Sequence, residues 1–423
     1  DIAASQMGRQ VSLGHLNAIL GGILREARPD GALGDAKAKN LVTDISAFRT
    51  AMTGYQTQMA EYLKAQDKIG GIIRVEKPSP QNVNICAAIN ELALKLDSAA
   101  FRFVEEAPEK NEYLKNQAEI LREIAEDLES FFRQIDPEWA YWLESAGHSK
   151  EDVLYCREPV DASEMLAENL FGNCDEVPVI VTSATLAVND SMDFFRKRIG
   201  ADNAKELILD TPFNYETQVT LHLPPMPRPD SREYEEYLLA MLKHYIPLTQ
   251  GRAFVLFTSH AQLKRTTNQL LTFLLSNDYV PIIQDGSMPP GQMLETFKKT
   301  RRAVLFGTDT FWTGVDVPGD ALSSVIITKL PFGQYGHPVQ VTRDIYMQNR
   351  GMNMFAEHSL PEAILKFRQG CGRLIRTRDD SGIIVVLDGR LHTTQYGKLF
   401  INALPKCNIS DERPEFDVLN AWE

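Results

Sequence analysis

The sequence predicts an α/β fold with a mostly parallel sheet from about residue 153 onwards, preceded by a helical region. Two observations predict this division. Short runs of β-branched and aromatic residues alternate with helical patterns in the second part, whereas apolar stripes at helical spacing dominate residues 1 to about 150. Strand–helix alternation builds parallel sheets with helices on both faces, and such stripes build helix–helix cores.

The helical region contains three apolar stripes, at residues 41–62, 86–103 and 114–132. In each, apolar side chains recur at alternating spacings of about four and three residues, which places them on one face of a helix. Pro78-Ser79-Pro80 interrupts the helical pattern and predicts a connector. We therefore expect residues 1–150 to form an all-helical domain.

The α/β region contains six predicted strands and at least two predicted helices. A proline-rich stretch at residues 223–229 is the best linker candidate in the chain. We therefore expect one domain to end at residue 222 and another to span residues 223–423. The predicted strands are residues 177–181, 253–257, 280–283, 303–306, 325–327 and 383–387, and the helices are residues 261–275 and 290–300.

The composition is that of an ordinary globular protein, with 43% hydrophobic and 24% charged residues among 423. A net charge of −13 excludes a surface that is basic all over, but a local basic groove is enough to meet phosphates. No apolar run is long enough to span a membrane. The five cysteines form no C-x-x-C pair, so we expect reduced thiols in a cytoplasmic protein and no metal site; they are Cys86, Cys156, Cys174, Cys371 and Cys407.

Polar segments follow three of the predicted strands, at the sheet edge where α/β proteins bind ligands. Thr182-Ser183-Ala184-Thr185-Leu186 follows the first; by itself it could equally cap a helix starting near Ser191. Thr258 and Ser259 follow the second, and either a sugar-phosphate contact or a helix cap suits them. The third segment, residues 307–319, combines glycines and hydroxyls with Trp312 and a carboxylate; it predicts a ligand-binding loop, and a long turn in which Trp312 is a packing residue is the alternative.

Residues 367–376 are the most informative segment. On a helix, Gln369, Arg373 and Arg376 would share one face, because they lie at positions i, i+4 and i+7. Arginine suits bidentate recognition of phosphate and neutralises charge on a transferring phosphoryl group. Gly370 and Gly372 each cost a helix about 1 kcal/mol, which a merely solvated basic face would not require. The segment therefore predicts an anion clamp.

Taken in order, these segments resemble the DinG/XPD-like branch of the superfamily 2 helicases. TSATL resembles helicase motif III, LFTS motif IV, GTDTFWTGVDVPGDAL motif V and QGCGRLIR motif VI. The resemblance implies a second RecA-like domain at residues 223–423 and the end of a first RecA-like domain at residues 151–222. It also implies that residues 1–150 are an arch-like insertion.

The resemblance also implies roles for individual residues. It places Arg373, Arg376 and Gln369 in catalysis, with the two arginines as fingers that meet the γ-phosphate. The implied ATP-binding residues are Gly314, Asp316, Gly372 and Ser183, and the implied nucleic-acid contacts are Thr258, Ser259, Thr308 and Trp312. Thr313 stands where the family usually has a glutamate, so the match is incomplete in this loop.

The sequence contains neither a G-x-x-x-x-G-K-[ST] loop nor a D-E-A-H box. In the family both precede the arch insertion, together with an iron–sulfur cysteine set. We therefore expect this chain to begin after them, and to share ATP and Mg²⁺ with an N-terminal helicase domain outside this sequence. Any iron–sulfur cluster would lie there too.

The expected activity is that of the C-terminal half of a monomeric helicase moving 5′ to 3′ on single-stranded DNA, in DNA repair or replication. Because the sequence lacks the phosphate-binding loop G-x-x-x-x-G-K-[ST], we expect the 423 residues alone to be inactive as an ATPase. Two alternatives stay open. The chain could be a non-catalytic remnant that binds single strands, or part of an RNA-directed ATPase of the same superfamily.

Overall fold

A computed structural model describes residues 7–26, 39–66, 71–79, 82–101, 104, 108–146, 151–172, 177–188, 191–312, 317, 319–333 and 336–410. The helices are α1 Leu13–Glu26, α2 Lys39–Gln66, α3 Val83–Ala100, α4 Pro108–Arg133, α5 Ser163–Asn169, α6 Asp193–Ile199, α7 Tyr215–Gln218, α8 Tyr234–Leu248, α9 His260–Ser276, α10 Pro290–Lys299, α11 Asp309–Trp312, α12 Pro338–Asn349, α13 Leu360–Cys371, α14 Arg390–Thr393 and α15 Gly397–Asn402. The strands are β1 Arg9–Ser12, β2 Ile72–Arg74, β3 Trp139–Ala146, β4 Asp152–Pro159, β5 Val219–His222, β6 Ala253–Leu256, β7 Val280–Ile283, β8 Ala303–Gly307, β9 Ser324–Ile327, β10 Gly382–Val386 and β11 Asn408–Ser410.

The chain forms two compact units. The first contains Asp1–Asn169 and Gln334–Met354, and the second contains Leu170–Gly333 and Phe355–Glu423. The first unit therefore takes a short insertion, which includes α12, from the later part of the chain. Neither this insertion nor the extension of the unit beyond residue 150 was predicted from the sequence.

Long helices form the core of the first unit, and the predicted apolar stripe at residues 114–132 is confirmed. In the other two, Tyr62 is exposed and Phe103 lies outside the described residues. The stripe of α4 is buried throughout, from Leu114 and Leu121 to Leu128 and Phe132. It packs in one apolar cluster with the buried face of α3, which includes Ile89. Burial of such faces, at about 25 cal/mol per Å² of apolar surface, is what holds these helices together.

The prediction that this region is all-helical is wrong. A four-stranded antiparallel sheet lies in the first unit, in the order β1-β4-β3-β2. Its β1 pairs Val11 with Tyr155, residues far apart in sequence. The apolar residues of such strands do not recur at helical spacing, and the strands that they pair with are distant in sequence. This sheet was therefore not predicted.

The second unit contains a parallel sheet, and this confirms the predicted α/β fold. Seven described strands pair in the order β11-β5-β10-β9-β6-β8-β7, and every pairing is parallel. The central strands β6, β8 and β9 are buried along their whole length. Continuous burial is expected of parallel strands covered on both faces, and it explains why these strands read as apolar runs.

Two sequence-based predictions fail in the second unit. Residues 177–181 form no strand: Val177 and Ile180 are exposed, and no described strand pairs with them. The predicted boundary at residue 222 is also misplaced, because β5 precedes the proline-rich stretch yet pairs with β10 in the same sheet. The stretch is held within this unit, since the backbone at Gly389 passes too close to the Met226 carbonyl to leave room for a Cβ.

The cysteines of the described residues are small core side chains. Cys86, Cys156 and Cys371 are buried, and Cys407 is half-buried; Cys174 lies outside the described residues. Burial raises the pKa of Cys86 to about 11 and that of Cys156 to about 12, so both thiols stay protonated and unreactive at neutral pH. No set of three or more His, Cys, Asp or Glu side chains in the described residues could hold a metal ion. None of the described helices has the length and apolarity needed to cross a membrane.

Candidate functional site

Helix α13 lies against the loop that follows β8, and Gly370 makes the close approach possible. A Cβ at Gly370 would stand 2.7 Å from Cε3 of the Trp312 ring. The indole is fully buried, and its Nε1 donates a hydrogen bond of 2.9 Å to the Phe257 carbonyl. The two glycines that are costly inside a helix therefore have different structural roles. Gly370 leaves space for the indole, and Gly372 is the C-cap of α13.

The prediction that Gln369, Arg373 and Arg376 share one helix face is wrong. Helix α13 ends at Cys371, so both arginines lie in the irregular turn that follows it. Asp380 redirects the chain there, because its carboxylate accepts hydrogen bonds from the main-chain amides of Arg376 and Thr377. Arg373 nevertheless stays in contact with Gln369, through the Gln369 carbonyl.

The arginine Arg373 is fixed by main-chain carbonyls. Its Nε donates to the Trp312 carbonyl at 3.2 Å and to the Gln369 carbonyl at 3.1 Å. It is half-buried, as is Arg376. The turn thus holds the Arg373 side chain against the loop after β8, and it also contains the half-buried Arg376.

Two contacts join α13 to residues 183–188. The side-chain amide of Gln369 donates to the Thr185 hydroxyl at 3.2 Å, and Arg368 donates to the Ala187 carbonyl at 2.5 Å. The predicted ATP-binding residue Ser183 is exposed, and its Oγ accepts from the Thr185 amide at 3.2 Å. Sequence reasoning missed Arg368, although it lies one position before Gln369 in the same segment.

The predicted nucleic-acid contacts separate into a half-buried and a buried group. Thr258 and Ser259 are half-buried at the end of β6, and Ser259 also caps α9 by accepting from the Gln262 amide. Trp312 is a core residue, so the prediction that its ring meets a strand is wrong. Thr308 is buried as well, at 2% exposure, and its hydroxyl is engaged by neighbouring side chains.

Three side chains from neighbouring strand ends meet around Thr308. The Gln284 side-chain oxygen accepts from the Thr308 amide at 2.7 Å and lies 3.1 Å from the Thr308 hydroxyl. That hydroxyl is 3.0 Å from Nε2 of His260, which is exposed. Sequence reasoning missed both His260 and Gln284. The two remaining predicted ATP-binding residues, Gly314 and Asp316, lie outside the described residues.

Residues 242–407 match the family model described as a helicase C-terminal domain. The "3'-5' exonuclease DinG" of Bacillus subtilis is 34% identical over 300 residues, which cover 69% of this chain and 32% of that protein. The "ATP-dependent DNA helicase YoaA" of Escherichia coli is 37% identical over 273 residues, which cover 64% of this chain and 41% of that protein. Residues 242–407 therefore form a helicase C-terminal domain, and this chain is similar to proteins named DinG and YoaA.

Solved structures agree with this DinG/XPD-like fold. The structures named "XPD_Helicase" and "Structure of S. tokodaii Xpd4" each give a TM-score of 0.53 and cover 96% of this chain. Their sequence identities are 15% and 13%, so they show the fold alone, and the chain covers 66% and 73% of them. The chain spans less than half the length of the two curated relatives above.

A buried ion pair supports the site from the C-terminal side of β10. The Asp388 side chain is fully buried; it accepts from the Leu330 amide at 2.8 Å and from Nη2 of Arg390 at 2.6 Å. This contact links the strand end of β10 to the chain that leaves β9. The helicase domain thus fixes two adjacent strand ends with one carboxylate.

Replacing Arg390 by alanine should destabilise the DinG/XPD-like domain by about 3–5 kcal/mol, because it leaves the Asp388 carboxylate buried without its cation. Urea unfolding measures the change. Arg265→Ala is the control, since Arg265 pairs with Glu235 at 2.6 Å but both side chains are about half exposed, and such pairs contribute at most about 1 kcal/mol. Equal, small losses in both variants would show that the Asp388 pair is not the support described here.

Proposed function

We propose that this chain supplies the second motor domain of an ATP-dependent DNA helicase, and that a separate helicase domain supplies the phosphate-binding loop. The observation that carries the proposal is the convergence of polar groups at the end of α13. Gln369 reaches Thr185, Arg373 reaches the Trp312 carbonyl, and the turn that contains Arg376 is tied to Gly319 through Asp380. The proposed motifs III, V and VI are thus joined within one compact unit.

The arginines give this arrangement its proposed chemistry. During phosphoryl transfer, negative charge spreads over the transferring group, and the main task of a protein is to position and neutralise it. A guanidinium is always charged and offers a planar fork of donors that matches phosphate oxygens. Arg373 and Arg376 therefore act as the cationic half of a site whose phosphate loop comes from the other domain. Asp316, which the resemblance links to metal-bound water, lies outside the described residues.

The link between Gln369 and Thr185 gives a route for coupling. We propose that residues 177–188 belong to the end of the first helicase domain, which the resemblance places at residues 151–222. A displacement of these residues during the ATPase cycle then pulls directly on α13 through the 3.2 Å hydrogen bond and through Arg368. Movement at the nucleotide is thereby passed to the helix next to the arginines.

Exposed apolar side chains also support this division of the chain between two helicase domains. Ile180 is 85% exposed, and Leu207 and Leu209 are 74% and 77% exposed. Apolar side chains this open, in two short extended segments, favour burial against further protein. We propose that both segments pair with strands of the first helicase domain, which places the boundary between the two motor domains before β5.

The nucleic-acid strand is proposed to cross the ends of β6 and β8. Thr258 and His260 supply polar groups there that are open to solvent, and Gln284 fixes the buried Thr308 beneath them. Because the chain has a net charge of −13, binding depends on such local contacts and not on a general attraction. The resemblance favours single-stranded DNA and 5′ to 3′ movement, and we adopt both in the proposal.

The described residues of this chain do not fit an iron–sulfur cluster. The described cysteines lie in four different elements or loops, and no group of three metal-binding side chains occurs among the described residues. We therefore assign no step to a cluster. If the wider protein holds one, its ligands come from other residues.

Purified residues 1–423 should fold and yet show no ATPase above background, because this sequence contains no phosphate-binding loop. The complete protein should hydrolyse ATP and be stimulated by single-stranded DNA. Steady-state phosphate release from both preparations, with DNA or RNA of matched length, makes the comparison. Turnover by the 423 residues would contradict the division of the site, and stimulation by RNA alone would favour the RNA-directed ATPase.

A further inference from the structure

Asp380 is a buried carboxylate that collects donors from two separate segments. Its Oδ2 accepts from the amides of Arg376 at 2.7 Å and Thr377 at 2.8 Å. Its Oδ1 accepts from the Thr377 hydroxyl at 2.8 Å and from the Gly319 amide at 3.2 Å. One side chain, 6% exposed, thus connects the arginine-bearing turn to the end of the loop that follows β8.

Gln218 holds the same turn from the opposite direction. Its side-chain amide nitrogen, with two hydrogens, lies next to β5 and is within hydrogen-bond distance of three carbonyls of the turn, those of Asp380 at 2.8 Å, Thr377 at 3.1 Å and Arg378 at 3.2 Å. Gln218 is 9% exposed. The turn has no regular secondary structure, so these side chains replace the hydrogen bonds that a helix or strand would provide.

We propose that Asp380 is the positioning residue that sets Arg376 for phosphoryl transfer and links it to the loop ending at Gly319, with Gln218 supporting the turn. The assignment rests on the proposed function. Asp380 does not touch the nucleotide; it acts through the Arg376 backbone, from which the guanidinium extends. A carboxylate is required because all four groups facing it are donors.

The charge state of Asp380 fits this role. Burial by itself would raise the pKa of the carboxyl group, but hydrogen bonds from Thr377, Arg376 and Gly319 outweigh that effect and lower it. Asp380 is therefore an anion at neutral pH. An asparagine in its place would turn an amide nitrogen toward N–H donors, which leaves at least one of them without a partner.

Asp380→Asn in the complete protein should lower kcat for ATP hydrolysis by about 10- to 100-fold and change KM for ATP by less than about threefold. The reason is that a displaced arginine weakens transition-state contacts more than ground-state binding. Asp230→Asn is the matched control: Asp230 pairs with Arg228 on the exposed loop before α8, and its loss should leave kcat unchanged. Gln218→Met should act in the same direction as Asp380→Asn but more weakly, and it serves as a second variant if Asp380→Asn unfolds.

A double-mutant cycle separates positioning from a general loss of structure. In an Arg376→Lys background, Asp380→Asn or Gln218→Met should lower kcat by less than a further threefold, because both act through the group already altered. If the losses in kcat multiply in the double variants, or if the folded single variants keep the wild-type kcat, the assignment of Asp380 as a positioning residue is wrong, but the proposed function still stands. A wild-type protein without ATPase would overturn the proposed function, and the assignment with it.

Discussion

Replacing Arg376 by alanine in the complete protein should lower ATP turnover by on the order of 10³-fold or more. An arginine that meets the transferring phosphoryl group from across a cleft acts mainly in the transition state, and its removal raises the barrier by several kcal/mol. Affinity for ATP should change much less, because most contacts to the nucleotide come from the phosphate loop. ATPase rate and nucleotide affinity are measured on one preparation with an intact thermal transition.

Arg378→Ala is the matched control for this result. Arg378 has the same charge and lies two residues further along the same turn, but its side chain is exposed. Its loss should leave turnover within about threefold of the wild-type rate. If Arg376→Ala retains more than a tenth of the wild-type rate, or if Arg378→Ala is equally damaging, Arg376 is not a finger.

Trp312→Ala should cost about 3–5 kcal/mol of unfolding free energy, the range for removing a large aromatic side chain from a core. The indole is fully buried, packs against Gly370 and donates to the Phe257 carbonyl. Trp312→Phe should cost less and should leave the affinity for single-stranded DNA within about twofold. Denaturant unfolding and fluorescence anisotropy measure the two quantities.

The two Trp312 variants together test whether the indole is a core residue or a nucleic-acid contact. If Trp312→Phe is stable but loses strand affinity by tenfold or more, the ring reaches the nucleic acid after all. His260→Ala provides the contrast, because His260 is the exposed member of the neighbouring cluster. Its loss should weaken strand binding without the stability loss expected for Trp312→Ala.

Several strands of the parallel sheet could be predicted from their apolar, β-branched runs. The predicted strand at residues 280–283 agrees fully with β7, and the prediction at 303–306 misses β8 by one residue. β8 is buried along its whole length, as expected of a parallel strand covered on both faces, whereas β7 ends the sheet and its Val280 is exposed. β5 and β11, which are four and three residues long, were not predicted.

The motifs predicted where the candidate site lies, but not its geometry. Helical periodicity placed Arg376 on the face of α13, whereas the helix ends at Cys371 and Asp380 accepts hydrogen bonds from the following amides. The resemblance assigned Trp312 to the nucleic acid, yet its ring is buried in the space left by Gly370. The deciding partner of Trp312 is distant in sequence, whereas that of the turn, Asp380, is only four residues beyond Arg376 and competes with helical hydrogen bonding.

Strand separation by the complete protein tests the helicase assignment most directly. A DNA duplex with a 5′ single-stranded tail is mixed with the protein, and displaced strand is followed with ATP or with a non-hydrolysable analogue. We expect displacement that requires hydrolysis, occurs with a 5′ tail and is abolished by Arg376→Ala. Tight binding to the tail with no ATPase and no displacement by the wild-type protein would contradict the account and identify a single-strand-binding clamp.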